Sequence, residues 1–227
     1  MVLTPGARVD SMAAPRPSVS HEVFLDAALH IADEFGPDAL TTRSLGTALG
    51  LDSTTVYRYF GSKDVLLGSL YDHVIGQVIV ECSNLDGTPE DRIRALITSY
   101  RGVLYRHPNV ARLNAQMADM LFSGQGKAPN VTKVSAMLLA ALMDLGLTGR
   151  PLMLAYQFAE TFIVGAVLYE SGAQSRDMSV RAIRYEAMAA AAGVPAFDDA
   201  QIAELSDEAF QLGIDRLLGT ILDIAIY

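Results

Sequence analysis

A single cysteine, Cys82, is all that the 227 residues contain, so an intrachain disulfide framework is excluded and a reducing compartment is the expected setting. The four histidines, His21, His30, His73 and His107, are scattered, with no paired His or Cys at metal-ligand spacing, so neither a metal nor a cofactor is expected. There is no G-x-S-x-G elbow, no P-loop and no dinucleotide fingerprint, and nothing in the pattern supports an enzyme. Sustained period-two alternation is missing, which leaves no sheet to build. Long hydrophobic runs are scarce too. The most apolar stretch, Leu152 to Ala173, is interrupted by Gln157 and Glu160, and its clean run from Phe162 to Tyr169 is far short of the roughly 20 residues a membrane span needs. The first residues carry Pro5, Pro15 and Pro17 without an apolar core, so no signal peptide is expected. The expectation is a soluble, cytoplasmic protein with no membrane partner.

Basic charge is the other shortage. Lys and Arg number 17 against 26 Asp and Glu, a net charge of −9 that by itself argues against binding nucleic acid. Residues 1–64 are no exception, with five basic and eight acidic side chains. Local placement matters more for a groove. Arg43, Arg58 and Lys63 flank one short segment, whereas Asp26, Asp33, Glu34 and Asp38 belong to the helix before it and its exit. Any DNA affinity should therefore be modest, steeply salt-dependent and reliant on two copies acting together.

What is present is apolar and helical. Hydrophobic residues make up 51% of the chain and charged residues 19%, enough for a full core with apolar surface left for an interface. Residues 1–19 form a Pro/Ala/Ser tail, expected to be flexible, whose Arg8 and Arg16 could reach a minor groove. A helix follows over about 20–35, with Phe24, Ala28, Ile31 and Phe35 on one stripe and Gly36-Pro37 as its stop. The stretch T-T-R-S-L-G-T-A-L-G-L-D-S-T-T-V-Y-R-Y-F-G-S-K, Thr41 to Lys63, then gives two short helices around a tight turn. Thr42 is the expected N-cap of the first, with Leu45, Ala48 and Leu49 inward and Gly50 as a left-handed stop; Ser53 or Thr54 would cap the second. Val56 and Phe60, one turn apart, would pack inward and leave Ser53, Thr54, Thr55, Tyr57 and Arg58 near solvent. Small hydroxyls and an arginine on an exposed short helix suit a DNA groove.

At these residues the chain resembles the TetR family of bacterial transcriptional regulators. The resemblance covers Ser20 to about Val80, through S-H-E-V-F-L-D-A-A-L-H-I-A-D-E-F-G, T-T-R-S-L-G-T-A-L-G-L and S-T-T-V-Y-R-Y-F-G-S-K-D-V-L-L. Beyond that it is architectural, although F-Q-L-G-I-D-R-L-L-G-T-I-L looks like the last helix of the TetR-proper branch. It implies that Arg43 meets a guanine edge or a phosphate and that Tyr57 and Lys63 hold the phosphate backbone. Thr42 would donate to a phosphate at its helix N-terminus, and Ser53, Thr54 and Thr55 would face bases. Arg58 depends on helix roll, and Tyr59 could contact a phosphate or pack half-buried.

Further helices are expected from Ser62 to about Cys82, over about 89–106 with Pro89 at N1, and over about 109–122, 130–146, 151–172, 179–192 and 206–225. The fold class is all-α. A flexible tail (1–19), a three-helix helix-turn-helix DNA-binding domain (20–66) and a larger helical effector-binding and dimerisation domain (67–227) make up the expected organisation. The helices at 151–172 and 206–225 are apolar on several faces. A second stripe of Leu218, Leu222 and Ala225 needs a partner, and small Ala155, Ala159 and Ala166 would permit close approach, so a homodimer is expected through these two helices.

An effector cavity is expected among Met117, Met120, Met137, Met143, Tyr100, Tyr156, Phe158 and Phe162, with polar Asn114, Gln116, Gln157 and Glu160 among them, although such a set also builds plain core. Burial of Gln157 and Glu160 in an apolar helix would otherwise be costly. Glu160 would favour a cationic or hydroxyl-bearing ligand unless it pairs with Arg112 or an arginine at the interface. The combined expectation is a ligand-responsive repressor released from a near-palindromic, double-stranded operator by a small, largely apolar effector. The alternative is a helical ligand- or protein-binding module whose head no longer reads DNA.

Overall fold

The computed structural model describes residues 20–114, 128–174, 178–196 and 198–226, and among these every regular element is helical. The tail with Arg8 and Arg16, most of the helix expected at 109–122, and Gln116, Met117 and Met120 lie outside the described residues.

Helix α1 (His21–Phe35) starts at Ser20, whose hydroxyl accepts from Val23 N, and stops at Gly36 with φ 83°. It buries Phe24, Ala28 and Ile31 as its stripe requires. Phe35, expected on the same stripe, is 68% exposed because it is the last helical residue and the chain turns away beneath it. A single 3-10 turn (Pro37–Ala39) leads to α2 (Thr42–Leu49) and α3 (Ser53–Phe60). Leu40, Leu45, Val56 and Phe60 close a small core on Phe24, whose ring meets that of Phe60 edge-on with centroids 5.9 Å apart. Ala48, expected inward, is exposed; one turn of α2 buries Leu45 and Gly46 only.

Helix α4 (Lys63–Glu81), capped by Ser62, belongs to both halves of the molecule. It packs on α1 and α3, and also on α5 (Pro89–Arg106) and α7 (Pro129–Asp144). Pro89 sits at the start of α5 as expected, behind a Thr88–Asp91 capping box, and His107-Pro108 ends it; a four-residue turn, α6 (Pro108–Ala111), follows. Then come α8 (Gly149–Gln174), α9 (Met178–Ala192) and α10 (Asp199–Ile226). The last helix begins seven residues before the expected 206: Asp198 accepts from Gln201 N at 2.8 Å while its own N–H donates to Gln201 Oε1 at 3.0 Å, a reciprocal cap.

Four arginines of α5 organise the body. Arg92 meets Asp144 of α7, Arg94 meets Asp215 of α10, and Arg106 meets Glu81 of α4. Arg101 binds both oxygens of Glu170 on α8 through Nε, at 3.0 and 2.9 Å, and reaches Asp207 of α10, while its guanidinium lies 4.4 Å from the Phe210 ring centre. The α8–α10 crossing is close: a Cβ on Gly213 would stand 2.5 Å from the Phe162 ring, which stacks on Phe210. Polar ties hold α1 to the body, from His73 to Asp26 at 3.1 Å and from His107 to Asp33 at 2.8 Å.

Several details of α8 and α10 differ from the sequence expectation. Gly149–Glu170 has a mean hydropathy of 1.5 and by length and composition alone could cross a membrane, which the short clean run did not suggest. Its inner stripe, Ala155, Ala159, Ile163 and Val167, is instead buried within the chain, so Ala155 and Ala159 serve this core and not a neighbouring copy. Leu218 is also buried here; of the second stripe only Leu222 and Ala225 face outward. Met153, Leu154, Phe158 and Tyr169 of α8 and Leu205 and Leu212 of α10 are exposed.

Candidate DNA-reading head and inner tyrosine cluster

The head is set by caps and one close approach. Thr41, one residue before the expected Thr42, caps α2: its hydroxyl accepts from Ser44 N at 3.0 Å and Ser44 Oγ accepts from Thr41 N at 2.9 Å. Thr42 thereby becomes the first helical residue and is half-buried. Gly50 ends the helix in the left-handed conformation at φ 63°, as expected. At Gly46 the chain leaves no room for a side chain, since a Cβ would lie 2.8 Å from the Leu51 carbonyl oxygen; this contact fixes how the turn folds back on α2.

Asp52, and neither Ser53 nor Thr54, caps α3. Its Oδ1 accepts from Thr54 N and from Thr54 Oγ1, each at 2.8 Å, which holds the carboxyl below its usual pKa. A carboxylate outcompetes the neighbouring hydroxyls because it offers a charged acceptor to two donors at once.

The outer surface carries the expected set. Arg43, Ser53, Thr54, Tyr57, Arg58, Tyr59 and Lys63 are exposed and Thr55 is half-buried, while Val56 and Phe60 face the core. Arg43 and Arg58 have no acidic partner among the described residues. Lys63 Nζ lies 3.4 Å from the Asp38 carbonyl, a weak tie that leaves its charge available. Tyr59 packs its ring on Phe24, centroids 4.6 Å apart, and still exposes 46% of its surface.

Inside the body, Tyr71 of α4 and Tyr100 of α5 share a hydrogen bond of 2.6 Å. Burial pushes the Tyr100 phenol up to about 12 and the Tyr71 phenol well above its usual value, with negative charge on Glu160 adding to both. Tyr156 donates to Ser135 Oγ at 3.0 Å and stands 3.5 Å from Glu160 Oε1. Its pKa is raised, chiefly by burial. Asn114 is 8% exposed; its amide lies near enough to Tyr100 to favour the ionised phenol, yet Nδ2 has no partner within hydrogen-bond distance. Tyr100, Asn114, Tyr156 and Glu160 thus fall in one neighbourhood, and Met137 packs against the adjacent core. Gln157 and Glu160 are exposed, so the expected burial of these two side chains is corrected: they lie on the flank of α8 that turns from its own core. A separate groove of about 500 Å³ lies on the α8–α10 face, lined by Arg150, Pro151, Leu154, Thr220, Asp223 and Ile224.

Two functional candidates have no counterpart in the sequence reading. Nothing in the sequence singles out Tyr71, and only its partner on α5 distinguishes it. Asp72, 6% exposed, accepts from Asn130 N at 2.9 Å and Val131 N at 3.0 Å, capping α7 from across the fold. Burial raises its pKa while those N–H donors pull the other way.

Comparison with known proteins agrees with this geometry. Residues 24–70 match a family model described as bacterial regulatory proteins, tetR family, and residues 83–223 match one described as tetracyclin repressor-like, C-terminal domain. The HTH-type transcriptional repressor DrrR1 of Streptomyces coeruleorubidus is 27% identical over 165 residues, which span 71% of this chain but only 58% of that protein. The tetracycline repressor protein class A from transposon 1721 of Escherichia coli is 28% identical over 83% of each chain. Among solved structures, the Streptomyces coelicolor protein ActR in complex with actinorhodin superposes with a TM-score of 0.70 at 21% identity, over 92% of this chain and 99% of that one. A TetR variant from Acinetobacter baumannii in complex with minocycline gives 0.68 at 19% identity over the same shares. At these identities the structures speak for the fold alone.

Proposed function

The chain belongs to the tetR family of bacterial regulatory proteins, and from that premise we propose that it is a homodimeric repressor released from a near-palindromic operator by a small, largely apolar effector. A ligand-responsive DNA-binding regulator is the general function of that family; the repressor, its operator and its effector are the proposal. The observation that carries the reading is the exposed polar surface of α3 beside Arg43, built on a head whose own core is closed behind it.

Two such heads would enter successive major grooves about 34–36 Å apart. Ser53, Thr54 and Thr55 face the base edges. Arg43 takes a guanine edge or a phosphate, and Thr42, Tyr57, Arg58, Tyr59 and Lys63 hold the backbone. The second copy covers the outer faces of α8 and α10, where Met153, Leu154, Phe158, Leu212 and Leu222 are exposed and the apolar groove lies. The effector binds beside Tyr100, Asn114, Met137, Tyr156 and Glu160; the unpartnered Asn114 amide and the Tyr71–Tyr100 pair supply its polar contacts. ActR with actinorhodin and the Acinetobacter protein with minocycline support a small-molecule effector.

Because Tyr71 lies on α4, a ligand that displaces it moves the helix that carries the head. Moving such a switch from 1:99 to 99:1 takes about 5.5 kcal/mol of differential affinity. A reducing cytoplasm is the proposed location, consistent with the lone, buried Cys82.

The test is selection of bound duplexes from a random DNA pool at two salt concentrations, with the full-length protein. Enrichment of a near-palindrome whose binding falls steeply with salt is expected. Arg43→Ala combined with Tyr57→Ala should abolish it while leaving the dimer intact. No enrichment from a folded dimer would overturn the DNA-reading role in favour of a ligand-binding module.

A further inference from the structure

We propose that Asp72 is a positioning residue that sets the distance between the two DNA-reading heads: its carboxylate pins the middle of α4 to the N-terminus of α7, and the spacing between operator half-sites follows from that joint. The inference rests on the DNA-reading dimer proposed above and goes beyond it by naming what fixes one of its dimensions.

Helix α7 has no cap of its own. Ala128 precedes it without a side-chain acceptor, and Pro129 at its first position has no N–H. The next two N–H groups, of Asn130 and Val131, both donate to Asp72 Oδ1, at 2.9 and 3.0 Å, and Thr132 N returns to the Ala128 carbonyl as the first bond of the helix. Asn130 Nδ2 also donates to Asp72 Oδ2 at 3.1 Å and to the Asp72 carbonyl at 3.0 Å. One turn further along α4, Gly76 closes the joint: a Cβ there would stand 3.0 Å from Asn130 Nδ2, and the two bonds to Asp72 keep that amide from backing away.

The neighbouring residue faces the other way. His73, about 100° further round α4, holds Nε2 3.1 Å from Asp26 Oδ1 on α1 of the head. At mid-helix α4 is thus bonded to the body through Asp72 and to the head through His73. The His73–Asp26 contact has an exposed carboxylate and constrains little, whereas the Asp72–Asn130 joint is buried and is the stiff one. That joint lies about 13 Å from the head end of α4 at roughly 1.5 Å per residue. A tilt of about 10° there shifts that end by about 2 Å, and two copies tilting together change the head separation by about 4 Å, more than the roughly 3.4 Å of one base-pair step. A dimer whose bodies are joined through α8 and α10 therefore reads a single half-site spacing only while this angle is fixed.

The experiment places the half-site enriched by the full-length wild type as an inverted pair in duplexes whose spacing varies one base pair at a time. Binding is measured for the wild type, Asp72→Ala, Asp72→Asn and Arg92→Ala, with folding verified by circular dichroism. Asp72→Ala removes the joint. Asp72→Asn keeps its shape but sets one amide against that of Asn130, so it carries the test if the alanine variant does not fold. Arg92→Ala frees the opposite end of α7 from α5 and reads out a general loosening of the body. The wild type should favour one spacing by about tenfold over those one base pair away. In Asp72→Ala that preference should fall to about twofold, and in Asp72→Asn to a value between, with the base preference inside each half-site unchanged. Arg92→Ala should keep the wild-type profile. A folded Asp72 variant with an unchanged spacing profile, a wild type indifferent to spacing, or an equal loss of preference in Arg92→Ala would overturn the inference and leave the DNA-reading role standing. A folded wild-type dimer that enriches no half-site would overturn both.

Discussion

In α2 and α3 the polar contacts that shape the head join residues two to five positions apart, from Asp52–Thr54 through Thr41–Ser44 to Ser44–Ala39. In the body, Arg92, Arg94 and Arg101 of α5 reach acids 52 to 121 positions away, on α7, α8 and α10. The head is thus built from nearest-neighbour chemistry, a cap, a left-handed glycine and one contact with no room for a side chain. The body is built from charge partners that meet only once the chain has folded. Local construction gives a unit whose outer polar surface is displayed by its own caps. Long-range construction gives a unit whose helices are tied to one another by charge pairs that span the body.

The contrast fails most visibly if Arg101 can be removed cheaply. It and Glu170 are only 13% and 10% exposed at their side chains, so Arg101→Met leaves an uncompensated carboxylate among α5, α8 and α10. A loss of about 3–5 kcal/mol in urea unfolding is expected. A loss below about 1 kcal/mol would mean that apolar packing alone assembles the body.

Alkaline pH tests the same interior without mutation. The Tyr71 and Tyr100 phenols have folded-state pKa values above the usual 10, that of Tyr100 at about 12. A raised folded pKa gives stability that is fully present below pH 10 and is lost as pH climbs toward about 12. The slope is on the order of 1 kcal/mol per pH unit for one buried tyrosine. Tyr100→Phe should flatten the curve over that window, and an unchanged slope would show that the pair is hydrated.

Gly46→Ala strikes the head. The new methyl meets the Leu51 backbone carbonyl, which cannot swing aside like a side chain, so about 1–3 kcal/mol of thermal stability and most operator binding should be lost together. Full operator affinity in this variant would refute the account of the turn. The smallest effect belongs to Arg94→Ala. Its ion pair with Asp215 is 40% and 59% exposed, and a change below about 1 kcal/mol is expected, even though it spans more sequence than any other pair named above. Separation along the chain sets what sequence can reveal; burial sets what a contact is worth.

Much of the fold was legible because helix ends are written locally. Gly36-Pro37, Gly50, Ser62, Pro89 and His107-Pro108 each stop or start a helix where expected. Misplaced caps were errors of one or two residues: Thr41 for Thr42 and Asp52 for Ser53 or Thr54. Competition among neighbouring oxygens is decided by backbone geometry, which composition does not encode. The Asp198–Gln201 box lies ahead of the helix expected over about 206–225, close behind Gly193 and Pro195, residues that interrupt helices and mask the local cap. Gln157 and Glu160 were assigned to the interior from the apolarity of their helix, but a helix packed on one side keeps a free flank for polar groups.

By itself, then, the sequence determined the head: its helices, its turn and the polar set it shows to solvent follow from residues within a few positions of one another. Only the tertiary structure decided which faces of α8 and α10 turn inward, that Tyr71 meets Tyr100, that Asp72 caps a helix 58 residues away, and which acids neutralise the arginines of α5. Those outcomes depend on how whole helices pack, and a pairing between distant residues leaves no periodicity in either segment.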